Sequence, residues 1–214
     1  MKLKLDLHVH THYSYDSLIT PEELVAYAKK KGLDGVAITD HERLDSAQKI
    51  AKQTDFFIIP GMEIASKHGH IVALNLKEPV PKGLTAEETV SKIHEAGGIA
   101  VACHPITFFK GSLGRHADAK FDAIEVINST AFPFHYSVKK ARQLALRLNT
   151  PQVGGTDAHY APQIGYAYTL VEADLQVDSV IKAIQQRLSQ PFGSAIPLTL
   201  RLKKELLLWT RWMH

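Results

Sequence analysis

Residues 6–17, DLHVHTHYSYDS, hold Asp6, His8, His10, His12 and Asp16 in one short stretch. Imidazole and carboxylate together are the donor set of divalent-metal sites, and each also serves as a general acid or base. Spacing narrows these uses. Leu5, Leu7 and Val9 alternate with Asp6, His8 and His10, the period of two that sends alternate strand side chains to opposite faces. Asp6, His8 and His10 are therefore expected on one face. There, two imidazoles two residues apart can reach one ion, whereas a helix would need a spacing of three or four.

The remaining acids and histidines stand at the ends of apolar runs. DGVAITDH ends in Asp40 and His41, FFIIPGME in Glu63, GGIAVACHP in His104, DAIEVINS in Glu125 and Asn128, and TPQVGGTDAH in Asp157 and His159. Between the runs lie helix-like segments at 21–33, with Pro21 in the first turn, at 46–53, at 85–98, with a Thr85-x-x-Glu88 capping box, at 137–149 and at 177–188. This alternation predicts repeated βα units and a parallel sheet. Parallel strands carry ligands at their carboxyl ends, because the loops there converge on one crevice or barrel mouth. His70 precedes its run, IVALNL, and spacing alone does not choose between it and His68.

A chain of 214 residues and 23.8 kDa with 45% hydrophobic residues suffices for one domain with one core. A net charge of +3 points to tolerance of anionic ligands rather than a dedicated polyanion-binding surface. The single Cys103 excludes an intramolecular disulfide, and the opening MKLKLDLHVH lacks the apolar core of a signal peptide; both favour the cytoplasm. No apolar run approaches the ~20 residues needed to span a bilayer. Neither a GxxxxGK[ST] loop nor a GxSxG elbow is present, so phosphate cradling by a P-loop and serine nucleophile chemistry lack support.

DLHVHTHYSYDS, ITDH, ACHP and GGTDAH, with Glu63 in PGME and His70 in GHIVAL, together resemble the polymerase and histidinol phosphatase (PHP) superfamily of metal-dependent phosphoesterases. The resemblance runs from residue 4 to about residue 197. It implies an α/β fold, a distorted seven-stranded β/α (TIM-like) barrel whose mouth holds two or three divalent ions. Carried over, it implies that His8, His10, Glu63 and Asp157 bind one ion. Glu63 then bridges to a second, held also by His70 and His104, and Asp16, His41 and His159 hold a third. Six imidazoles and three carboxylates suit Zn, Mn or Fe, and Ca poorly. Asp6 and Asp40 are expected to accept from ligand imidazoles and fix their tautomers.

The chemistry so implied is hydrolysis of a phosphate ester by a metal-activated hydroxide, with Glu63, Asp157 and His159 carrying the catalysis. The substrate would be a small phosphorylated metabolite, a nucleotide or a nucleic acid end. Competing readings are a non-catalytic PHP module attached to a nucleic-acid enzyme, and a histidinol-phosphate phosphatase. The loop ITFFKGSLGRHADAK offers Lys110, Arg115 and His116 as phosphate clamps, Arg115 first because a guanidinium grips two oxygens at once. Asn128 and His135 are further substrate-binding candidates. Cys103, adjoining His104, is expected to point away from it as a small buried hydrophobe. The domain is expected at 1–197, followed by an amphipathic basic helix at 198–214. There Leu202, Leu206, Trp209 and Met213 recur at helical spacing, a pattern suited to closing the barrel, to a dimer contact or to a membrane-surface anchor.

Overall fold

The computed structural model describes residues 1–108 and 111–213, so Lys110 lies outside the described residues. In chain order the elements are β1 Lys2–Val9, α1 Pro21–Lys30, β2 Gly35–Ile38, α2 Asp45–Ala51, β3 Phe57–Ser66, β4 Gly69–Leu74, α3 Ala86–Glu95 and β5 Ile99–Ala102. There follow β6 Ala123–Asn128, α4 Phe134–Arg147, β7 Gln152–Gly155, β8 Ala167–Glu172, α5 Val177–Gln185, β9 Ser189–Gly193 and α6 Leu198–Trp212. Local chemistry sets the helix starts. Thr20 and Thr85 each accept through the side chain from the backbone N–H three residues on and donate their own backbone N–H to the Glu23 or Glu88 carboxylate, a reciprocal cap that satisfies otherwise orphaned donors. Among the described residues no helix is long and apolar enough to cross a membrane.

Among the described residues one sheet of nine strands, ordered β7-β6-β5-β4-β3-β2-β1-β8-β9, curls into a nearly closed barrel, two strands more than the expected seven. The sheet is also mixed. β1, β2 and β3 run parallel, as do β5, β6 and β7, while β4, β8 and β9 run antiparallel to their neighbours. The added strands gave little signal in the sequence: SQPFG in β9 has no apolar alternation and is a strand because β8 pairs with it. The reversal of β4 also resolves His70. An antiparallel strand begins where its parallel neighbours finish, so His70, opposite Ala65, stands at the mouth.

Leu3, Leu5, Leu7, Ile59, Val72, Val101 and Val153 fill the barrel interior, closed by Val180 and Ile184 of α5. The simple alternation of β1 does not survive. Its register against β2 shifts between Asp6 and Val9, a bulge of the kind that re-aims side chains near functional sites. Leu5 and Leu7 pack with Val72, whose cross-strand partner Glu63 receives His8 and His10. Asp6 is left on the other side, bonded to Thr156 and Gly165.

The barrel closes at its mouth. Asp157 N donates to His8 O at 2.8 Å and His10 N to Ala158 O at 3.0 Å, while Asp6 accepts from Thr156 N at 2.8 Å and Thr156 Oγ1 at 2.5 Å. A Cβ on Gly155 would fall 2.5 Å from His8 Cβ and 2.8 Å from its backbone N, so this close approach requires glycine.

Helix α6 sits on the body in the opposite sense to an apolar packing face. Arg201 donates to Ile196 O, Thr130 O and Ser129 O at 2.6–3.1 Å, and Arg211 to Ser17 O at 3.0 Å. Leu198, Leu202, Leu206, Trp209 and Met213 are 59–68% exposed, and Leu208 is buried. The cationic side chains hold the helix by carbonyls of two loops around the mouth, and the leucine stripe faces solvent.

Gly155→Ala tests the closure. Forcing a methyl group against β1 should lower unfolding stability in denaturant by about 1–3 kcal/mol, and an unchanged midpoint would show that β1 and β7 do not depend on this contact.

Candidate metal centre

Glu63, buried in β3, is the hub. Its Oε1 lies 3.0 Å from His70 Nδ1 and 2.9 Å from His104 Nε2. Its Oε2 lies 3.1 Å from His10 Nε2, 3.1 Å from His41 Nδ1 and 3.6 Å from His8 Nε2. Asp157 Oδ1 stands 3.5 Å from His8 Nε2 and 3.4 Å from His10 Nε2. Asp16 Oδ2 lies 3.5 Å from His41 Nε2 and 3.4 Å from His159 Nε2. All nine ligand candidates thus converge. Ligand atoms of His8, His10, Glu63 and Asp157 fall within 4.8 Å of one another, as do those of His41, Glu63 and His70, and those of His10, His41 and His159. His104 and Asp157 adopt left-handed backbone, with φ of 31° and 56°, a conformation that non-glycine residues hold mainly where surrounding structure enforces it.

A second layer fixes the rings. Glu125 Oε1 sits 3.1 Å from His8 Nδ1, its Oε2 accepts from His104 N at 2.7 Å, and Asn128 Nδ2 donates to it at 2.9 Å. Ser14 Oγ lies 3.2 Å from His10 Nδ1, accepts from His41 N, and donates to Asp40 at 2.8 Å. Thr130 Oγ1 donates to Asp157 Oδ2 at 2.7 Å. With Nδ1 held, the imidazoles of His8 and His10 present Nε2 inward.

The electrostatics fit cations. His8 Nε2, His10 Nε2 and His104 Nδ1 are buried with no hydrogen-bond partner, and Glu63, Asp157, Asp16 and Glu125 have no Lys or Arg ion pair among the described residues. Burial works against the charge of Glu63, yet the attraction of His8, the His10 imidazole 3.1 Å away and hydrogen bonds from His104 and His70 hold its carboxyl well below the usual range. Burial likewise opposes a charged His8, and Asp157, Glu125 and Glu63 outweigh it, raising its proton affinity well above ordinary. Burial depresses His41 too, but Asp16 and Glu63 bring it up to about 9. The carboxylates demand positive charge at the inward nitrogens, which divalent ions satisfy and which imidazole and carboxylate donors are suited to hold.

Several expected roles move. Asp6 touches no ligand imidazole; burial pushes its carboxyl up to about 6 against the bonds from Thr156, and it staples the barrel closure. Asp40 acts one step removed, through Ser14, and also accepts from Thr11 and Ser46. Glu125 takes the place expected for Asp6. It was visible as a strand-end acid, but the bulge that decides which carboxylate meets His8 leaves no mark in the pattern. Cys103 does not point away. Strand β5 ends at Ala102 and His104 turns left-handed, so the alternation stops and Cys103 Sγ comes 3.5 Å from Glu63 Oε1. Burial raises that thiol strongly and keeps it protonated.

The mouth is a cavity of about 160 Å³ lined by Asp16, His41, Glu63, His70, His104, Thr107, Thr130, Ala131, Asp157 and His159. Asn128 is buried behind it, bonded to Glu125 and Asp157. Arg115 lines a neighbouring groove, and His135 is exposed on the first turn of α4 beside Phe134. His116 stacks on His68 at 3.7 Å.

The description "PHP domain" fits a family model matching residues 6–97, and a second, "PHP-associated", matches 135–188. An uncharacterised protein of Methanocaldococcus jannaschii, MJ1587, is 40% identical over 141 residues, 59% of this chain and 82% of that protein. A 5′-3′ exoribonuclease of Haemophilus influenzae is 31% identical over 108 residues, 47% of this chain and 39% of its own length. Among solved structures, a two-domain protein from Bacteroides vulgatus containing a predicted PHP-like metal-dependent phosphoesterase superposes with a TM-score of 0.72 at 20% identity, over 91% of this chain and 65% of that one. The first model spans His8, His10, Asp16, His41, Glu63 and His70, and the second spans Asp157 and His159. On these matches and this fold, the chain belongs to the PHP family.

Proposed function

We propose that this chain is a metal-dependent phosphoesterase that hydrolyses a phosphate ester held at the barrel mouth. The observation that carries the reading is Glu63, whose two oxygens meet separate groups of imidazoles, Oε1 with His70 and His104, Oε2 with His10 and His41. A carboxylate so placed suits the bridge of a two-metal site. His8, His10, Glu63 and Asp157 would hold one cation, Glu63, His70 and His104 a second, and Asp16, His41 and His159 a third, with Zn, Mn or Fe matching the donors. Bound there, divalent ions neutralise phosphoryl oxygens and bring the pKa of water toward ~7.

The chain's own groups supply position and exclusion. Glu63 and Asp157 fix the geometry of the cluster, with Asp157 oriented by Thr130 and Asn128. His159 lines the mouth with Nδ1 held 2.9 Å from the Asp157 carbonyl, which leaves Nε2, 3.4 Å from Asp16 Oδ2, to face the third cation. The mouth's volume of about 160 Å³ is small beside the ~300–1,000 Å³ of sites that enclose whole small ligands. It suits a phosphoryl group and leaves the rest of the ester at the rim. The exoribonuclease relative supports including nucleic acid ends beside nucleotides and phosphorylated metabolites among the esters tested. Ligand candidates at all nine positions weigh against a non-catalytic module.

Protein stripped by chelation and reloaded with Mn, Zn or Fe should regain hydrolysis of one or more members of a panel of nucleoside monophosphates, a nucleoside bisphosphate, a phosphodiester and a 5′-phosphorylated oligonucleotide. Asp157→Asn should lower that turnover by more than about 100-fold while unfolding stays cooperative; turnover equal in wild type and variant would refute the reading. Glu125→Gln keeps its size but loses the charge that orients His8, and should cost about 10–100-fold in metal affinity or rate. Metal titration that matches wild type would remove Glu125 from the site.

A further inference from the structure

Beside the mouth runs a second, larger concavity of about 450 Å³, whose lining includes Arg115, Asp118, Tyr136, Lys140, Gln143 and Arg147. The loop after His104 separates the two: Thr107 lines the mouth and Ile106 the groove. One wall is a stripe of α4, in which Tyr136, Lys140, Gln143 and Arg147 recur at helical spacing. That helix carries Lys139, Lys140, Arg142 and Arg147 and no acidic residue, although the whole chain has a net charge of only +3. The opposite wall adds Arg115. Ion pairs of Lys and Arg among the described residues lie elsewhere, at Lys2–Glu172, Arg43–Asp45, Lys92–Glu95 and Lys204–Glu205. Arg115, Lys140 and Arg147 are therefore uncompensated, with Asp118 the one carboxylate in the lining.

Two aromatic rings stand beside the groove, Tyr136 in its lining and Phe108 next in sequence to Thr107 of the mouth. Phe108 and Tyr136, 68% and 45% exposed, lie with ring centroids 5.6 Å apart, and Lys140 Nζ approaches the Tyr136 ring at 5.9 Å. Exposed rings interleaved with unpaired cations along a groove are the means by which proteins hold single-stranded nucleic acid: the rings stack bases and the cations track phosphates. From Tyr136 to Arg147 the helix rises about 16 Å at 1.5 Å per residue, the length of about five nucleotides stacked at ~3.4 Å.

We propose that this groove binds the body of a single-stranded oligonucleotide whose terminal phosphate ester sits in the metal mouth, with bases stacked on Phe108 and Tyr136 and phosphates held by Arg115, Lys140 and Arg147. The proposal rests on the phosphoesterase reading for the end of the strand and on the groove alone for its body. It converts a mouth too small for a nucleotide into a site that selects esters by what trails behind them.

Binding separates the two claims. Metal-loaded protein is titrated, by fluorescence anisotropy, into 3′-labelled, 5′-phosphorylated RNA and DNA of two, six and twelve nucleotides with phosphorothioate linkages that resist cleavage. Affinity should rise at least tenfold from two to six nucleotides and level off by twelve. Phe108→Ala/Tyr136→Ala should lose about tenfold or more for the six-mer. Lys140→Ala/Arg147→Ala should reduce the slope of log affinity against log salt by about 0.7 per cation removed. Affinity that does not grow between two and six nucleotides, or that survives both double substitutions, would overturn the groove assignment, as would inorganic polyphosphate competing as well as the six-mer. Length-dependent binding with no hydrolysis of any ester would uphold the groove and contradict the catalytic reading.

Discussion

A single buried carboxylate, Glu63, organises the molecule around it. It lies among five imidazoles, His8, His10, His41, His70 and His104, with contacts of 2.9–3.6 Å and no Lys or Arg among the described residues to neutralise it. Removing a carboxylate from water is costly unless opposite charge or strong hydrogen bonds replace the water. Here the replacement comes from side chains at the ends of β1, β2, β4 and β5, so the cluster forms only if those strands meet at one height. Barrel closure and site assembly are one constraint, seen in the backbone bonds that tie Asp157 to His8 and His10 to Ala158.

The holders of the site follow from the same geometry. Glu125 orients His8 and receives the His104 backbone, Ser14 links His10 to Asp40, and Thr130 steadies Asp157. Each lies behind one of the converging side chains and makes no claim on the inward nitrogens. Arg201 of α6 binds the carbonyls of Ser129 and Thr130, which extends this support to the C-terminal helix. The mouth is walled largely by the ligand candidates, and the larger α4 groove lies beyond the loop that carries Ile106 and Thr107.

Much of this was legible in the residues because strand-end placement is a sequence property. Asp40–His41, Glu63, His104 and Asp157–His159 each terminate an apolar run, and convergence of those ends follows from chain direction. His70 was not placed by that logic, since only the pairing of β4 with β3 reveals that the strand runs the other way. Asp6 and Cys103 were misplaced for a related reason. Alternation assumes an unbroken strand, and a register shift in β1 and the left-handed turn at His104 each break it without any signature in residue type. The groove was obscured by averaging: a net charge of +3 conceals a helix with no acidic residue, whose cations form no ion pair among the described residues.

The account stands or falls on whether Glu63 is shared between cations. Anomalous diffraction from crystals of Mn- or Zn-loaded protein, collected on both sides of the metal's absorption edge, answers this directly. We predict separate metal peaks on the two sides of the Glu63 carboxylate, one among His8, His10 and Asp157 and one between His70 and His104. Fully loaded protein with no peak beside Glu63, or with one ion that engages a single oxygen, would contradict the account.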